Sequence, residues 1–227
     1  MKLKFSQILL WVYLLVLVPL NLSGHYFEIP NLVLFSKPLL MLLLMVLFLE
    51  NIKGVSSSIK WGVLAGLFFS WIGDVALLVE DTNPSFFIVG LLGFLIAHVN
   101  YIVVFNKSRT KRAEGSILKQ VLIPVFVLFT IGFLFVLWPH LGDLRVPVIV
   151  YATVLMLMGV FAVSRKVSPG FNLVLVGAVL FVISDSVLAI NKFYAPFESA
   201  RVTTMLTYTI AQLFIVLGLS KFIDSNN

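Results

Sequence analysis

Long apolar stretches separated by short polar breaks run through the whole chain. Eight of them have about 16 to 22 residues, which at 1.5 Å per residue is enough for a helix to cross a hydrocarbon core of ~30 Å. Because lipid offers no partners for backbone N–H and C=O groups, such segments are expected to be helices. The pattern predicts an all-α integral membrane bundle of eight transmembrane helices, a single domain over 1–227 with spans at 7–22, 32–49, 61–79, 85–105, 117–138, 146–163, 171–190 and 202–222.

The first apolar stretch also has features of a signal peptide, because Lys2 and Lys4 precede its apolar core. No small-residue cleavage site of the A-x-A type follows it; the sequence continues NLSGHYF. We therefore expect this stretch to be retained as the first transmembrane helix.

Composition strengthens the membrane interpretation. Hydrophobic residues make up 60% of the chain and charged residues only 11%, whereas soluble domains carry about 25% charged residues. These values exclude a soluble, a disordered and a collagen-like protein. The absence of cysteine excludes disulfides, thiolate metal sites and thiol nucleophiles.

The net charge of +6 is explained by topology rather than by nucleic-acid binding. Twelve basic residues fall on one side of the predicted bundle, namely Lys2, Lys4, Lys53, Lys60, Lys107, Arg109, Lys111, Arg112, Lys119, Arg165, Lys166 and Lys221. Three fall on the other side, namely Arg145, Lys192 and Arg201. Since Lys and Arg collect in cytoplasmic loops, we expect both termini in the cytoplasm of a multi-pass protein, in the inner membrane if the cell is bacterial.

A short internal repeat links the third and seventh predicted helices. Residues 66–78 align with 177–189 at an offset of 111, which pairs Gly66 with Gly177 and Asp74 with Asp185. A shift of four helices predicts two half-bundles of the same orientation, at approximately 1–112 and 113–227. Chance similarity between two apolar helices is the alternative.

Four ionisable residues lie deep inside the predicted spans, away from their ends: Lys37, Asp74, His98 and Asp185. Such residues are costly in lipid and mark candidate functional sites. Counted from the predicted helix ends, Lys37, Asp74 and Asp185 share a layer about 8 Å below the outer surface. Tyr208 reaches a similar depth and Gln212 lies a turn deeper, whereas His98 is expected some 8 to 12 Å further in, as a wall of a polar cavity.

Two interpretations of this layer remain open. An ion pair between Lys37 and one aspartate that only fixes helix packing leaves the second carboxyl group without a partner. Two carboxyl groups in one site can instead supply one acid and one base. Gly62, Gly66, Ser70 and Gly73 place Asp74 toward the bundle interior, but a packing seam has the same small residues.

Other catalytic classes lack candidates. The three histidines have no HExxH or HxxxH spacing, so a zinc site is not expected. Neither GxSxG nor a Walker-type loop is present. We expect neither a metal nor any other cofactor.

Two stretches around the aspartates resemble the YhhN family, the membrane lysoplasmalogenases. The first is SWIGDVALLVEDTNPSFFIVGLLGFLIAHVNYIVVF (70–105), through Gly73-Asp74, Gly90-Leu91, Phe94, His98 and Tyr101. The second is VGAVLFVISDSVLAINKF (176–193), through Gly177-Ala178, Phe181, Ser184-Asp185-Ser186 and Asn191-Lys192-Phe193. Lys37-Pro38 gives a third, weaker match.

The resemblance implies an eight-helix fold that hydrolyses the vinyl ether of a lysophospholipid, lysoplasmalogen, to a fatty aldehyde and a glycerophospho-alcohol. Asp74 and Asp185 are the expected catalytic pair, with Lys37, His98, Tyr101, Ser184, Asn191, Tyr208 and Gln212 as binding or supporting residues. The carboxyl groups fit this reaction, because it needs a proton donor, an anion beside an oxocarbenium ion and a base for water. A single-chain lipid also suits a Phe- and Leu-lined cavity open to the bilayer. A small transporter or lipid-binding protein that handles protons or cations at the aspartates is the alternative.

Overall fold

The computed structural model describes residues 4–55, 57–80, 82–109, 117–165 and 168–225, which contain helices and no strand. Within these ranges, eight helical segments are long and apolar enough to cross a membrane, which confirms the predicted bundle. They are α1 (Phe5–Tyr26), α2 (Pro30–Asn51), α3 (Ser58–Leu78), α4 (Ser85–Lys107), α5 (Ile117–Leu137), α6 (Arg145–Val163), α7 (Phe171–Ala189) and α8 (Ala200–Asp224). The predicted topogenic residues Lys2, Lys111, Arg112 and Lys166, and the predicted boundary between 112 and 113, lie outside the described residues.

The predicted and observed ends differ because helices extend beyond their apolar cores. Ser57 begins α3 earlier than predicted, since its hydroxyl accepts a hydrogen bond from the Ile59 N–H at 3.2 Å and so caps the helix. α7 continues into a π-helical turn at Ile190–Tyr194. Polar and aromatic residues in these terminal turns leave the hydropathy pattern without ending the helix.

Two helix pairs, α3 with α4 and α7 with α8, form the closest packing in the bundle. Glycine allows this approach. A Cβ on Gly93 of α4 would come within 2.9 Å of the Gly73 backbone nitrogen in α3. A Cβ on Gly177 of α7 would come within 2.8 Å of the Ala211 carbonyl oxygen in α8. Small residues at helix contacts are the usual means of close packing in membranes.

The remaining helices join these two pairs into one core. α2 packs on α3 and α8, while α6 packs on α4 and α7. α1 packs on α2 and α8, where the fully buried Tyr13 donates a hydrogen bond to the Thr209 carbonyl oxygen at 3.0 Å. α5 packs along α6 and is the least buried of the eight.

A buried arginine ties the ends of α4, α6 and α8 together. The Nε of Arg165 donates a hydrogen bond to the Ser108 hydroxyl at 2.6 Å, and its guanidinium faces the rings of Phe105 and Phe222. Burial lowers the pKa of Arg165 to about 10, which leaves it charged at neutral pH. Arg165 therefore has a packing role besides its contribution to the loop charge.

Candidate active site

A cavity between α4, α5, α6 and α7 reaches the layer of buried charges. Its free space, including the open mouth, is about 990 Å³. Most of its wall is apolar, and five of the residues expected at the site line it: Lys37, Asp74, Ser184, Asp185 and Tyr208. The two aspartates therefore converge on one space, as their positions in the sequence predict.

Asp74 is held from two sides. Tyr208 of α8 donates its hydroxyl to Oδ2 of Asp74 at 2.7 Å. The Lys37 Nζ of α2 lies 3.8 Å from Oδ1. Both side chains of this ion pair are buried, at 9% and 2% exposure. The lysine thus balances the negative charge of an Asp74 carboxylate inside the bundle, where an unpaired charge would be costly.

Asp185 has different partners. Tyr151 of α6 donates its hydroxyl to Oδ2 of Asp185 at 2.6 Å. The Nε2 of His98 in α4 lies 3.8 Å from the same oxygen, beyond hydrogen-bond distance. Among the described residues, Asp185 has no lysine or arginine within 4 Å. The two carboxyl groups therefore differ chiefly in whether a permanent cation accompanies them.

The expected place of His98 in the cavity wall is wrong. Its imidazole Nε2 lies 3.8 Å from Oδ2 of Asp185, and the residue packs behind Asp185 instead of lining the cavity. The reason is its packing, since the ring is fully buried between aromatic side chains. The His98 ring makes edge contacts with Tyr151 and Phe181 at centroid distances of 5.4 Å and 4.7 Å.

Tyr101 and Gln212 form a hydrogen-bonded layer beneath Asp74. The Tyr101 hydroxyl donates to Oε1 of Gln212 at 2.6 Å, and Nε2 of Gln212 donates to the Ser70 hydroxyl at 2.9 Å. Ser70 precedes Asp74 by one helical turn, which agrees with the predicted depth of Gln212. Neither Tyr101 nor Gln212 lines the cavity, so their contacts fix α3, α4 and α8 relative to one another.

Ser184 and Asn191 have local contacts. The Ser184 hydroxyl lines the cavity and donates to the Thr204 carbonyl oxygen at 3.0 Å. The Asn191 side chain accepts a hydrogen bond from the Phe197 N–H at 3.2 Å. Asn191 does not line the cavity; it orders the segment between α7 and α8.

Tyr151 is the site residue that sequence reasoning missed. It stands in the apolar run VPVIVYATVLML, where a tyrosine resembles an ordinary interfacial or core aromatic. Adding the repeat offset of 111 to Lys37 gives position 148, one helical turn from Tyr151. That correspondence is the signal that could have identified α6 as the source of a partner for Asp185.

Metal binding has no support in the described residues, which contain no cluster of three or more His, Cys, Asp and Glu side chains placed to share an ion. The groups that the site does offer are two carboxyl groups, two phenols and one ammonium. These can donate, accept and stabilise charge. Such chemistry is that of general acid–base catalysis.

Several known proteins of similar sequence are named lysoplasmalogenase. The chain is 33% identical over 150 residues to the lysoplasmalogenase TMEM86B of Homo sapiens, an alignment that covers 66% of this chain and 59% of that protein. It is 31% identical over 161 residues to a lysoplasmalogenase of Mycobacterium tuberculosis (strain CDC 1551 / Oshkosh), covering 70% and 60%. With the TMEM86B lysoplasmalogenase of Sus scrofa it is 30% identical over 182 residues, covering 78% and 71%.

The chain thus spans 59% and 60% of the human and mycobacterial relatives, and more of the porcine one. No solved structure matches it. A sequence model of the YhhN family matches residues 32–219. That match covers most of the chain and includes both aspartates, and the protein belongs to the YhhN family.

Proposed function

We propose that this protein is a membrane hydrolase that cleaves the vinyl-ether bond of lysoplasmalogen, with Asp74 and Asp185 as the catalytic pair. The observation that carries the proposal is the convergence of two differently partnered carboxyl groups on one apolar cavity. The lysoplasmalogenase names of the relatives support the choice of substrate.

Asp185 is the proton donor in this proposal. Its partners are a phenol and an imidazole that lies at 3.8 Å, whereas Asp74 has the Lys37 ammonium beside it. A cation at this distance favours the carboxylate, so Asp74 is the anionic member. The Tyr151 hydroxyl occupies Oδ2 of Asp185, which leaves Oδ1 to carry the acidic proton toward the substrate.

The reaction then follows in three balanced steps. The Asp185 proton adds to the vinyl carbon remote from the ether oxygen, which leaves an oxocarbenium ion beside the Asp74 carboxylate. Water adds to the carbon attached to oxygen, and its proton returns to Asp185 to give a hemiacetal. The hemiacetal hydroxyl proton moves to the glycerol oxygen as the C–O bond breaks. Aldehyde and glycerophospho-alcohol leave, and one water has been consumed.

The site also supports the proposed half-repeat. Asp74 on α3 has partners on α2 and α8, and Asp185 on α7 has partners on α6 and α4. Under the offset of 111 residues, α3 corresponds to α7, α2 to α6 and α4 to α8. The two carboxyl groups thus have partners from corresponding helices, but the partners differ: Lys37 and Tyr208 for Asp74, and Tyr151 and His98 for Asp185.

We propose that both termini face the cytoplasm, so that the mouth of the cavity lies near the opposite surface. The uneven distribution of Lys and Arg supports this orientation. The eight candidate spans agree with it, because an even number returns the chain to its starting side.

A product assay tests the proposed activity. Purified full-length protein in detergent is given a lysoplasmalogen and, separately, the saturated ether analogue that has no vinyl group. We expect fatty aldehyde from the first and none from the second. Absence of aldehyde from well-folded protein at several pH values would remove the hydrolase and leave the transporter or lipid-binding alternative.

A further inference from the structure

The first helices of the two proposed half-bundles pack differently. α1 closes against α8, with Tyr13 hydrogen-bonded to the Thr209 carbonyl oxygen. α5, its counterpart, packs along α6 and touches the π-helical turn after α7. Within the described ranges it forms no extended packing with α4. A gap therefore remains between α4 and α5. The equivalent position in the other half, between α8 and α1, is filled by direct helix packing.

The cavity occupies this gap. α4 contributes a stripe of large apolar residues at one-turn spacing, and α5 contributes the facing wall of Phe129, Thr130, Phe133 and Leu134. Phe129 lines the cavity and is 44% exposed, while its neighbours Leu128 and Ile131 are 68% and 61% exposed without lining the cavity. The cavity wall at this helix therefore adjoins the lipid-facing surface.

The depth of this opening identifies what it meets. Phe129 precedes the end of its span at His140 by eleven residues, which places it about 16 Å below the outer end. A hydrocarbon core is ~30 Å thick, so the opening lies near its middle. At that depth the neighbouring molecules are acyl chains rather than water or headgroups.

The opposite end of the cavity lies beside an ion pair. Phe87 and Phe193 line this end near the outer ends of α4 and α7, and their rings are 5.8 Å apart. The Lys192 Nζ lies 4.8 Å from the Phe87 ring centroid and 3.6 Å from the Glu80 carboxylate. The cavity thus runs from an outer mouth next to this ion pair, past the aspartates, to an apolar opening in mid-membrane.

We propose that the gap between α4 and α5 is a lateral portal that admits the hydrocarbon chain of a single-chain lipid from the bilayer. The chain lies between the Phe- and Leu-rich faces of the two helices, and the polar end of the lipid points to the mouth at Lys192 and Glu80. This orientation places the bond between glycerol and chain at the aspartates. The identity of the lipid rests on the proposed function, whereas the portal rests on the shape and depth of the cavity.

Photo-cross-linking tests the portal without turnover. The probe is a 1-O-alkyl lysophosphocholine with a diazirine in mid-chain, which has no vinyl ether to cleave, added to the full-length protein in nanodiscs. We expect labelled peptides from α4 and α5, with competition by unlabelled alkyl lysolipid. Labelling spread evenly over all lipid-facing helices, without competition, would overturn the proposal.

Adjacent residues on α5 provide a matched pair of variants. Thr130→Trp fills the cavity, whereas Ile131→Trp adds the same side chain at a position that is 61% exposed to lipid. Displacing two buried methylenes costs about tenfold in affinity, so we expect Thr130→Trp to lower competed labelling about tenfold. Ile131→Trp should label like the wild type. If Thr130→Trp does not fold, Leu134→Trp repeats the test one turn further along the helix.

The same variants separate the portal from the proposed reaction. Thr130→Trp should lose turnover of long-chain lysoplasmalogen while retaining turnover of a short-chain substrate. If labelling at α4 and α5 is competed but neither the wild type nor the variants release aldehyde, the proposed reaction is contradicted and the portal is supported. If the wild type turns over normally and Thr130→Trp and Ile131→Trp have the same chain-length profile, the portal is contradicted and the reaction is supported.

Discussion

At the scale of single residues, the sequence identifies the charges but only part of their surroundings. An aspartate in an apolar helix is conspicuous, so Asp74 and Asp185 are found without a structure. Lys37 is found for the same reason, but the sequence does not decide whether it pairs with Asp74 or with Asp185. Tyr151 is not conspicuous, because tyrosine is frequent in membrane helices and only three-dimensional packing directs its hydroxyl to Asp185.

Lys37→Met tests the buried ion pair. The substitution leaves the Asp74 carboxylate without its cation, and breaking a buried pair costs about 3–5 kcal/mol. We expect a clearly lower melting temperature in detergent together with lower turnover. Lys53→Met is the control, since Lys53 forms a surface pair with Glu50 and is 78% exposed. Equal melting of the two variants would mean that the contact between Lys37 and Asp74 contributes little.

Tyr151→Phe tests the hydrogen bond to Asp185. Loss of a hydrogen bond to a carboxyl group costs about 1.5–3 kcal/mol, so we expect turnover to fall by roughly 10- to 100-fold while the fold persists. Tyr194→Phe, at an exposed tyrosine that faces His140, should have no effect. If Tyr151 acts through Asp185, adding Tyr151→Phe to Asp185→Asn should cause little further loss. Additive losses would show that it acts elsewhere.

At the scale of helices, hydropathy locates every span to within a few residues but leaves their ends and contacts undetermined. The π-helical turn after α7 illustrates the limit. It extends the span through Ile190–Tyr194, where Asn191 and Lys192 interrupt the apolar pattern. Small residues indicate that α3 packs closely on another helix, but they do not say which one.

Gly93→Ala tests the close packing of α3 and α4. The added methyl group meets the α3 backbone, where no side chain can move aside, and overpacking of this kind costs about 1–3 kcal/mol. We expect a lower melting temperature. Gly132→Ala in α5 is the matched control, because its Cβ meets nothing within 4 Å. Equal melting of both variants would contradict the close approach.

At the scale of the whole molecule, the sequence predicts eight helices, a half-repeat and a Phe- and Leu-lined cavity, but not the gap between α4 and α5 in which that cavity lies. The repeat predicts that the two halves bring their aspartates together. It also predicts equivalent packing of α1 and α5, which the structure does not have. This difference in packing depends on many weak contacts of α5 with its neighbours. The pattern of hydrophobic and polar residues along the chain does not identify those contacts.

Membrane orientation is tested with fusions to the C-terminus. If Lys and Arg direct both termini to the cytoplasm, a C-terminal alkaline phosphatase should be inactive and a fluorescent protein bright in a bacterial host. Phosphatase inserted after Asp143, between α5 and α6, should be active. The reverse pattern would invert the bundle and place the mouth of the cavity at the cytoplasmic surface.

The most direct test of the paired-aspartate mechanism is aldehyde release per mole of monodisperse protein for Asp74→Asn, Asp185→Asn and the double variant. Asparagine keeps the shape and most hydrogen bonds but abolishes proton exchange. Asp143→Asn, at an exposed acid outside the site, serves as the control. We expect each single variant to lose about 10²-fold or more in turnover while remaining folded. The double variant should lose little beyond that, because groups that act as a unit fail together. Turnover near the wild-type level in either single variant would contradict catalysis by the two aspartates.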